Sequence, residues 1–202
     1  YHLGNLFSVN QALVDIGLDV FITSNPAELE RADAIVLPGV GAFAHAMQSL
    51  EALKLVDPIK NAVASGKPFL GICLGLQLLF TESEEFGDYK GLNLLKGKVK
   101  KFSFSAPVKV PQIGWNQIYP AAQDWAQSPL SAIKPGEYVY FVHSFYVVPE
   151  EEVGLTTTNY GDINYVSSVI KNNIFACQFH PEKSGVTGLK IYKNWASLNN
   201  LL

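Results

Sequence analysis

The sequence predicts an α/β protein: a mostly parallel central sheet covered by helices on both faces, with an antiparallel insert in its second half. Three observations carry this. The runs 34–39 (AIVLPG) and 68–73 (PFLGIC) are almost continuously apolar, as strands buried on both faces must be. The segments around them carry apolar residues at helical spacing, giving an alternation of strand and helix. From about residue 97 the chain changes to short β-prone runs punctuated by Pro, Gly and Asn. With 202 residues and no internal repeat or low-complexity linker, the whole chain, 1–202, reads as one domain.

In chain order, residues 4–17 place Leu6, Val9, Leu13 and Ile16 on one helical face and stop at Gly17. LDVFITSN (18–25) reads as a strand running into a Ser24-Asn25-Pro26 cap, and 27–32 as a short helix. After the strand 34–39, residues 42–65 suggest one or two helices ending at Gly66. The strand 68–73 then passes straight into a helix over 74–80. In the second half, 97–119 reads as hairpin strands, YVYFVHSFYVV (138–148) as an aromatic β segment, and LTTTNYG, INYVSSVIKNN and IFACQFHPE as further strands. A last helix covers about 184–200.

Composition removes several functions. Fifteen Lys and Arg against 18 Asp and Glu give a net charge of −3, which argues against a nucleic-acid binder driven by phosphate neutralisation. Charged residues make up only 16%, against about 25% in average usage, which points to surface covered by a partner. Two cysteines, Cys73 and Cys177, cannot staple a secreted scaffold, so a reducing compartment, the cytoplasm, is expected. No apolar run reaches the roughly 18 residues of a spanning helix; Phe69 to Phe80 is broken by Gly71, Gly75 and Gln77. Lys96, Lys98, Lys100, Lys101 and Lys109 form a lysine-rich patch, read as protection of an exposed hairpin edge.

The chemistry centres on Gly71-Ile72-Cys73-Leu74-Gly75. This G-x-C-x-G has the shape of a nucleophile elbow with Cys in place of Ser. Its glycines permit a crowded strand-to-helix turn, which sets the sulfur at a strand's carboxyl end and a helix N-terminus. Alone, the same motif is also compatible with a buried Cys in a Gly-rich turn. A thiol nucleophile needs a base, and Gln178-Phe179-His180-Pro181-Glu182 supplies one: His180, with Glu182 to orient it and stabilise imidazolium. LPGVGAF (37–43) lies between a strand and a helix, so its N–H groups can join that of Leu74 in an oxyanion hole. The second donor is Val40 or Gly41, brought into place by a peptide flip that glycine permits. Cys177 reads as core and His45 as an exposed helix residue. No Cys/His spacing suggests a metal.

GICLGLQ and QFHPE resemble the two signatures of the class I, triad-type glutamine amidotransferases. The resemblance implies a flavodoxin-like three-layer fold. It implies that Cys73 attacks the glutamine side-chain amide to give a γ-glutamyl thioester and ammonia, with His180 as base and acid, and Glu182 as orienter. It adds Gln77 as a contact to the glutamine α-group, and Gly39, His143, Ser144 and Phe145 as the rest of the substrate site. Five ordered segments, the opening YHLGNLFSVNQAL with PGVGAF, PQIGWN, FVHSFY and HPEKSG, resemble the glutaminase subunits of imidazole glycerol phosphate synthases over nearly the whole chain.

That second resemblance implies a partner, a (β/α)₈-barrel cyclase that receives the ammonia in histidine biosynthesis, and no cofactor or metal. Gly4, Asn5, Gly114, Trp115, Asn116 and Lys183 are the candidate interface residues. It also implies that a strand precedes Tyr1, so that the natural chain starts about ten residues earlier, the length of a strand plus its turn. Gln112 and His2 stand where these subunits more often carry His and Gly. That keeps open a paralogous glutaminase serving amidino-sugar formation on surface polysaccharides. A Cys-His-Glu peptidase or deglycase of the same fold, and a scaffolding pseudo-glutaminase, are the other readings; Gln77 with FVHSFY opposes the former, the intact triad the latter.

Overall fold

The computed structural model describes residues 6–105 and 107–202. Helix α1 (Leu6–Asp15) buries Val9, Ala12 and Leu13. Helix α2 (Pro26–Arg31) opens with proline in its first turn and with Asn25 as its cap, whose side chain accepts the Ala27 N–H at 3.0 Å. Strand β1 (Ile35–Gly39) leads to α3 (Phe43–Ala52) and α4 (Val56–Ala64), which are separated at Lys54, where φ is +56°. Strand β2 (Phe69–Cys73) runs without a loop into α5 (Leu74–Leu78).

The second half is β-rich. It holds β3 (Glu82–Ser83), β4 (Tyr89–Lys90), β5 (Gly97–Lys101), β6 (Gln112–Gln117), β7 (Tyr119–Pro120), β8 (Tyr138–His143), β9 (Phe145–Pro149), β10 (Gly154–Tyr160), β11 (Ile163–Lys171) and β12 (Ile174–Cys177). A one-turn 3₁₀ helix (Pro181–Lys183) and α6 (Gly185–Leu198) close the chain.

Strands β1, β2 and β12 lie side by side and parallel, with Gly39 opposite Cys73 and Cys177 opposite Ile72. The sheet continues from β12 through β11, β9, β5, β3 and β4, and β10 pairs with β11 and β7. Strands β6 and β8 form a separate antiparallel pair. Side chains alternate through the parallel core. Phe69, Ile174 and Ala176 join the cluster under α2, α3, α4 and α5, while Leu70, Ile72, Phe175 and Cys177 join the cluster with α1 and α6. This is the three-layer arrangement expected of apolar strands covered on both faces.

Three expectations are corrected. Leu18 to Asn25 is not a strand. No strand pairs with it among the described residues, and an apolar groove of ≈ 670 Å³, lined by Leu13, Val20, Ile35, Leu37 and Trp195 among others, separates it from β1. The 97–119 segment is not a hairpin: β5 pairs with β9 and β3, and β6 with β8. Hence β5 is an interior strand, and its lysines do not guard an edge. Lys98, Lys100 and Lys101 are exposed on it, and Lys98 pairs with Glu82 at 2.8 Å.

Candidate active site

The strand-to-helix passage at Cys73 is a sharp one. Cys73 has φ +54° and ψ −108°, a conformation that a residue with a side chain adopts only when its surroundings impose it. The flanking glycines explain how the turn is packed. A Cβ on Gly75 would lie 1.8 Å from the Leu37 carbonyl oxygen, and one on Gly71 would lie 2.9 Å from the Ala176 Cβ. So β1 and β12 press on the turn from either side, and neither glycine position has room for a side chain. Helix α5 is only five residues long, so the dipole available to the sulfur is smaller than the sequence suggests.

The His180 imidazole arrives from the end of β12. Its backbone N–H donates to the Tyr140 carbonyl at 2.8 Å, and its carbonyl accepts the Ser184 hydroxyl at 2.6 Å. Ser184 Oγ in turn accepts the Tyr140 N–H at 3.0 Å, so the turn is bolted to β8. His180 Nδ1 donates to Glu182 Oε1 at 2.7 Å, and Tyr192 of α6 donates to Glu182 Oε2 at 3.2 Å. Gly188 lets α6 come this close, because a Cβ there would sit 1.8 Å from the Pro181 carbonyl oxygen.

The His180 and Glu182 side chains are 3% and 1% exposed. Burial by itself lowers the His180 pKa; the Cys73 sulfur and the Glu182 carboxylate outweigh it and lift it to about 9. Among the described residues, His180 Nε2 has no partner within ordinary hydrogen-bond geometry.

A second group of polar side chains reaches Cys73 from the other side. Gln178 Nε2 donates to the Cys73 sulfur at 3.6 Å. Gln77 Nε2 donates to Gln178 Oε1 and to the Phe145 carbonyl, both at 3.0 Å. That carbonyl also accepts from His143 Nδ1 at 2.8 Å, and His143 Nε2 lies 3.2 Å from the Tyr165 hydroxyl. The phenol donates to Gln112 Oε1 at 3.0 Å, while the buried Gln112 Nε2 has no partner among the described residues. One phenol proton serves one acceptor at a time. Turning the Gln112 amide end for end puts Nε2 on the phenol oxygen, frees the phenol proton for His143 and removes the orphaned donor.

The His143 side chain is thus turned into the protein. Both its ring nitrogens are used internally, it packs against Phe102, Phe141 and Tyr165, and burial lowers its pKa to about 4. It fixes the Phe145 carbonyl. Ser144 is half-buried at the same turn, between β8 and β9.

The structure brings Cys73, His180, Glu182, Gln77 and the 143–145 turn together. Gly39 ends β1 beside Cys73, Leu74 opens α5, and Val40 and Gly41 lie between β1 and α3, Gly41 with φ +95°. Glu85 is an addition that the sequence reading missed. Its buried carboxylate accepts the Phe43 N–H at 2.6 Å, capping α3 where Ala42 has no capping side chain. Desolvation raises the Glu85 pKa, with the Phe43 N–H acting against it. Gln178, Ser184, Tyr165 and Tyr192 were also missed as site residues. The only available signals were a poor cap residue at 42 and the polar positions inside QFHPE and HPEKSG.

Of the interface candidates, Trp115 is 55% exposed and stacks edge-on with Tyr140, and Lys183 lies over the Tyr140 ring at 5.7 Å. Gly114 lies between Trp115 and Ile113, which is 63% exposed. Asn116 is half-buried and donates to the Asn159 carbonyl at 2.8 Å. Gly4 and Asn5, with His2, lie outside the described residues. Among the described residues, no group of three or more His, Cys, Asp or Glu could hold a metal ion, and no helix is long and apolar enough to cross a membrane.

An elbow cysteine beside a His–Glu pair, on a parallel sheet covered from both sides, defines a cysteine-nucleophile amidotransferase fold. A family model, Glutamine amidotransferase class-I, matches residues 2–197, and the chain belongs to that family. The particular relatives are subunits of one enzyme. The chain is 49% identical over 197 residues to imidazole glycerol phosphate synthase subunit HisH of Aquifex aeolicus, covering 96% of this chain and 92% of that one. It is 47% identical over 205 residues to the subunit of the same name from Syntrophotalea carbinolica, covering 98% and 97%. Among solved structures, a glutamine amidotransferase superposes with a TM-score of 0.74 at 17% identity, covering 98% of this chain and 95% of that one. PurLQS from Thermotoga maritima superposes with a TM-score of 0.65 at 21% identity, covering 98% and 94%. At those identities the superpositions speak for the fold alone.

Proposed function

We propose that this chain is the glutaminase subunit of an imidazole glycerol phosphate synthase, hydrolysing glutamine to glutamate and ammonia for histidine biosynthesis. The observation that carries it is the convergence of the strained Cys73 with the buried His180–Glu182 pair, in a chain nearly half identical to subunits of that name. The Cys73 thiolate attacks the glutamine amide carbon. The Leu74 N–H and one from Val40 or Gly41 receive the developing oxyanion. His180, as imidazolium, gives its proton to the departing nitrogen, and ammonia leaves behind a γ-glutamyl thioester. Neutral His180 then takes a proton from water, water adds to the thioester, and C–S cleavage returns glutamate and thiolate. Glu182 holds the ring through Nδ1 and stabilises its charged form. The N–H groups of Gln77 are spent on Phe145 and Gln178, which leaves its Oε1 to accept from the substrate α-ammonium. Gly39, Ser144 and the Phe145 backbone frame the remainder of the substrate, and no cofactor or metal enters the steps.

The partner that fits is a (β/α)₈-barrel cyclase, in the cytoplasm, taking the ammonia directly. The exposed apolar surface of Ile113, Trp115 and Tyr138 on β6 and β8, with Lys183 beside it, is a face for that partner close to the His180 turn. Glutamine turnover by the chain with its barrel partner tests the reading. Cys73→Ala should abolish it, by a factor of at least about 10⁴. Turnover that survives in Cys73→Ala would rule the reading out.

A further inference from the structure

Gln178 is fully buried and follows β12, where its backbone N–H is held by the Ser167 carbonyl at 2.8 Å. Its side chain lies between Gln77 and Cys73, and the orientation of its amide follows from a group that cannot be turned around. The Phe145 main-chain carbonyl can only accept. Gln77 therefore presents its NH₂ to that carbonyl at 3.0 Å, and the same NH₂ faces Gln178 at 3.0 Å. Gln178 must answer with its oxygen. Its own NH₂ is then left on the Cys73 side, 3.6 Å from the sulfur. His143 braces the sequence at its start by donating to the same Phe145 carbonyl.

We propose that Gln178 is a catalytic residue of this site, donating a side-chain N–H to the Cys73 sulfur and stabilising the thiolate. The proposal rests on the glutaminase reading above for the identity of the nucleophile. A neutral donor suits this position. It favours thiolate over thiol without adding a second cation beside His180. When the C–S bond of the thioester adduct breaks, the electron pair passes to sulfur, and the same N–H is in place to receive the charge. The short α5 makes such a donor more important than the helix end. The titratable groups around the sulfur are His180 with Glu182 behind it, the buried Cys177, Tyr165 and, behind His180, His143. None of them except His180 stabilises an anion at Cys73.

The test is the rate of Cys73 alkylation by iodoacetamide across pH, read by peptide mass so that Cys177 is counted separately. In the full chain, Gln178→Met removes the donor at similar volume. At neutral pH its rate should fall about tenfold, and the deficit should close at alkaline pH, where the thiol ionises unaided. Gln178→Glu still accepts from Gln77 but presents a carboxylate oxygen to the sulfur, so its deficit should be larger. Gln77→Leu does not touch the sulfur but frees the Gln178 amide to turn, and should produce a smaller deficit of the same pH form. Near-UV circular dichroism, sensitive to Trp195 and Tyr192, checks the fold. A folded Gln178→Met with the wild-type rate at every pH overturns the proposal. If that variant does not fold, wild-type rates in Gln178→Glu and Gln77→Leu overturn it equally. Alkylation needs no glutamine. Unchanged rates beside an inactive Cys73→Ala remove only the role of Gln178, whereas turnover by Cys73→Ala removes the glutaminase reading itself.

Discussion

Two buried histidines belong to this site, and their surroundings drive them to opposite charge states. On one side His180 leans on Glu182, itself held by Tyr192, and is lifted to about 9. His143 instead leans on a carbonyl and a phenol, and burial, with the charge of His180 adding to it, brings it down to about 4. Burial lowers both. What differs is whether a carboxylate stands behind the ring and whether the sulfur faces it. The two rings thus serve different ends: in the proposed reaction His180 is the group that exchanges protons, whereas His143 fixes the Phe145 carbonyl from which the Gln77 and Gln178 amides take their direction.

Glu182→Gln breaks the comparison most strongly. It replaces the carboxylate by a neutral amide, so kcat with the partner present should fall by about 10³ to 10⁴, and the His180 pKa should drop. Steady-state kinetics and the histidine titration report the two effects.

His143 gives the next effect, on stability. Its folded pKa lies below the ordinary 6.5, so the unfolded chain binds the proton more readily. Its contribution is present above pH 6.5 and is lost as pH falls through about 4. The shift of about 2.5 units corresponds to about 3 kcal/mol over that window. His180 has the opposite sign: its contribution is present below 6.5 and is lost as pH rises through about 9. Denaturant unfolding of His143→Gln against pH should lack the steep acid loss that the unsubstituted chain shows; an equally steep loss would place it in another group.

Tyr192→Phe sharpens the comparison at the smallest scale. Glu182 keeps its bond to His180 and loses only one neutral donor, so kcat should fall less than about tenfold. A loss as large as that of Glu182→Gln would mean that the phenol, rather than the carboxylate, governs the ring.

The proton-carrying side was legible in the sequence, and most of the orienting side was not. The elbow at Gly71 to Gly75 and the His180-Pro181-Glu182 turn place their chemistry within a few residues, so spacing reveals them. The parallel strands β1 and β2 and the helices around them were legible for the same reason, because apolar runs and helical periods are local. Gln178 to Cys73, Gln77 to Phe145 and Tyr165 to Gln112 join residues 53 to 105 positions apart. Those contacts exist only once β6, β8, β9, β11 and β12 are placed. The pairing of β5 with β9 and of β6 with β8 escaped the sequence because alternation marks a strand without naming its neighbour. Leu18 to Asn25 has β-prone residues, but among the described residues no strand lies against it to pair with.

The site pairs a cationic histidine, His180, with a neutral one, His143. A pH titration of the imidazole resonances by NMR, with His143 and His180 assigned by single substitution, tests it most directly. The account predicts that His180 titrates near 9 and that His143 stays neutral down to about 4. Two ordinary titrations near 6.5, or the two values exchanged, would contradict it.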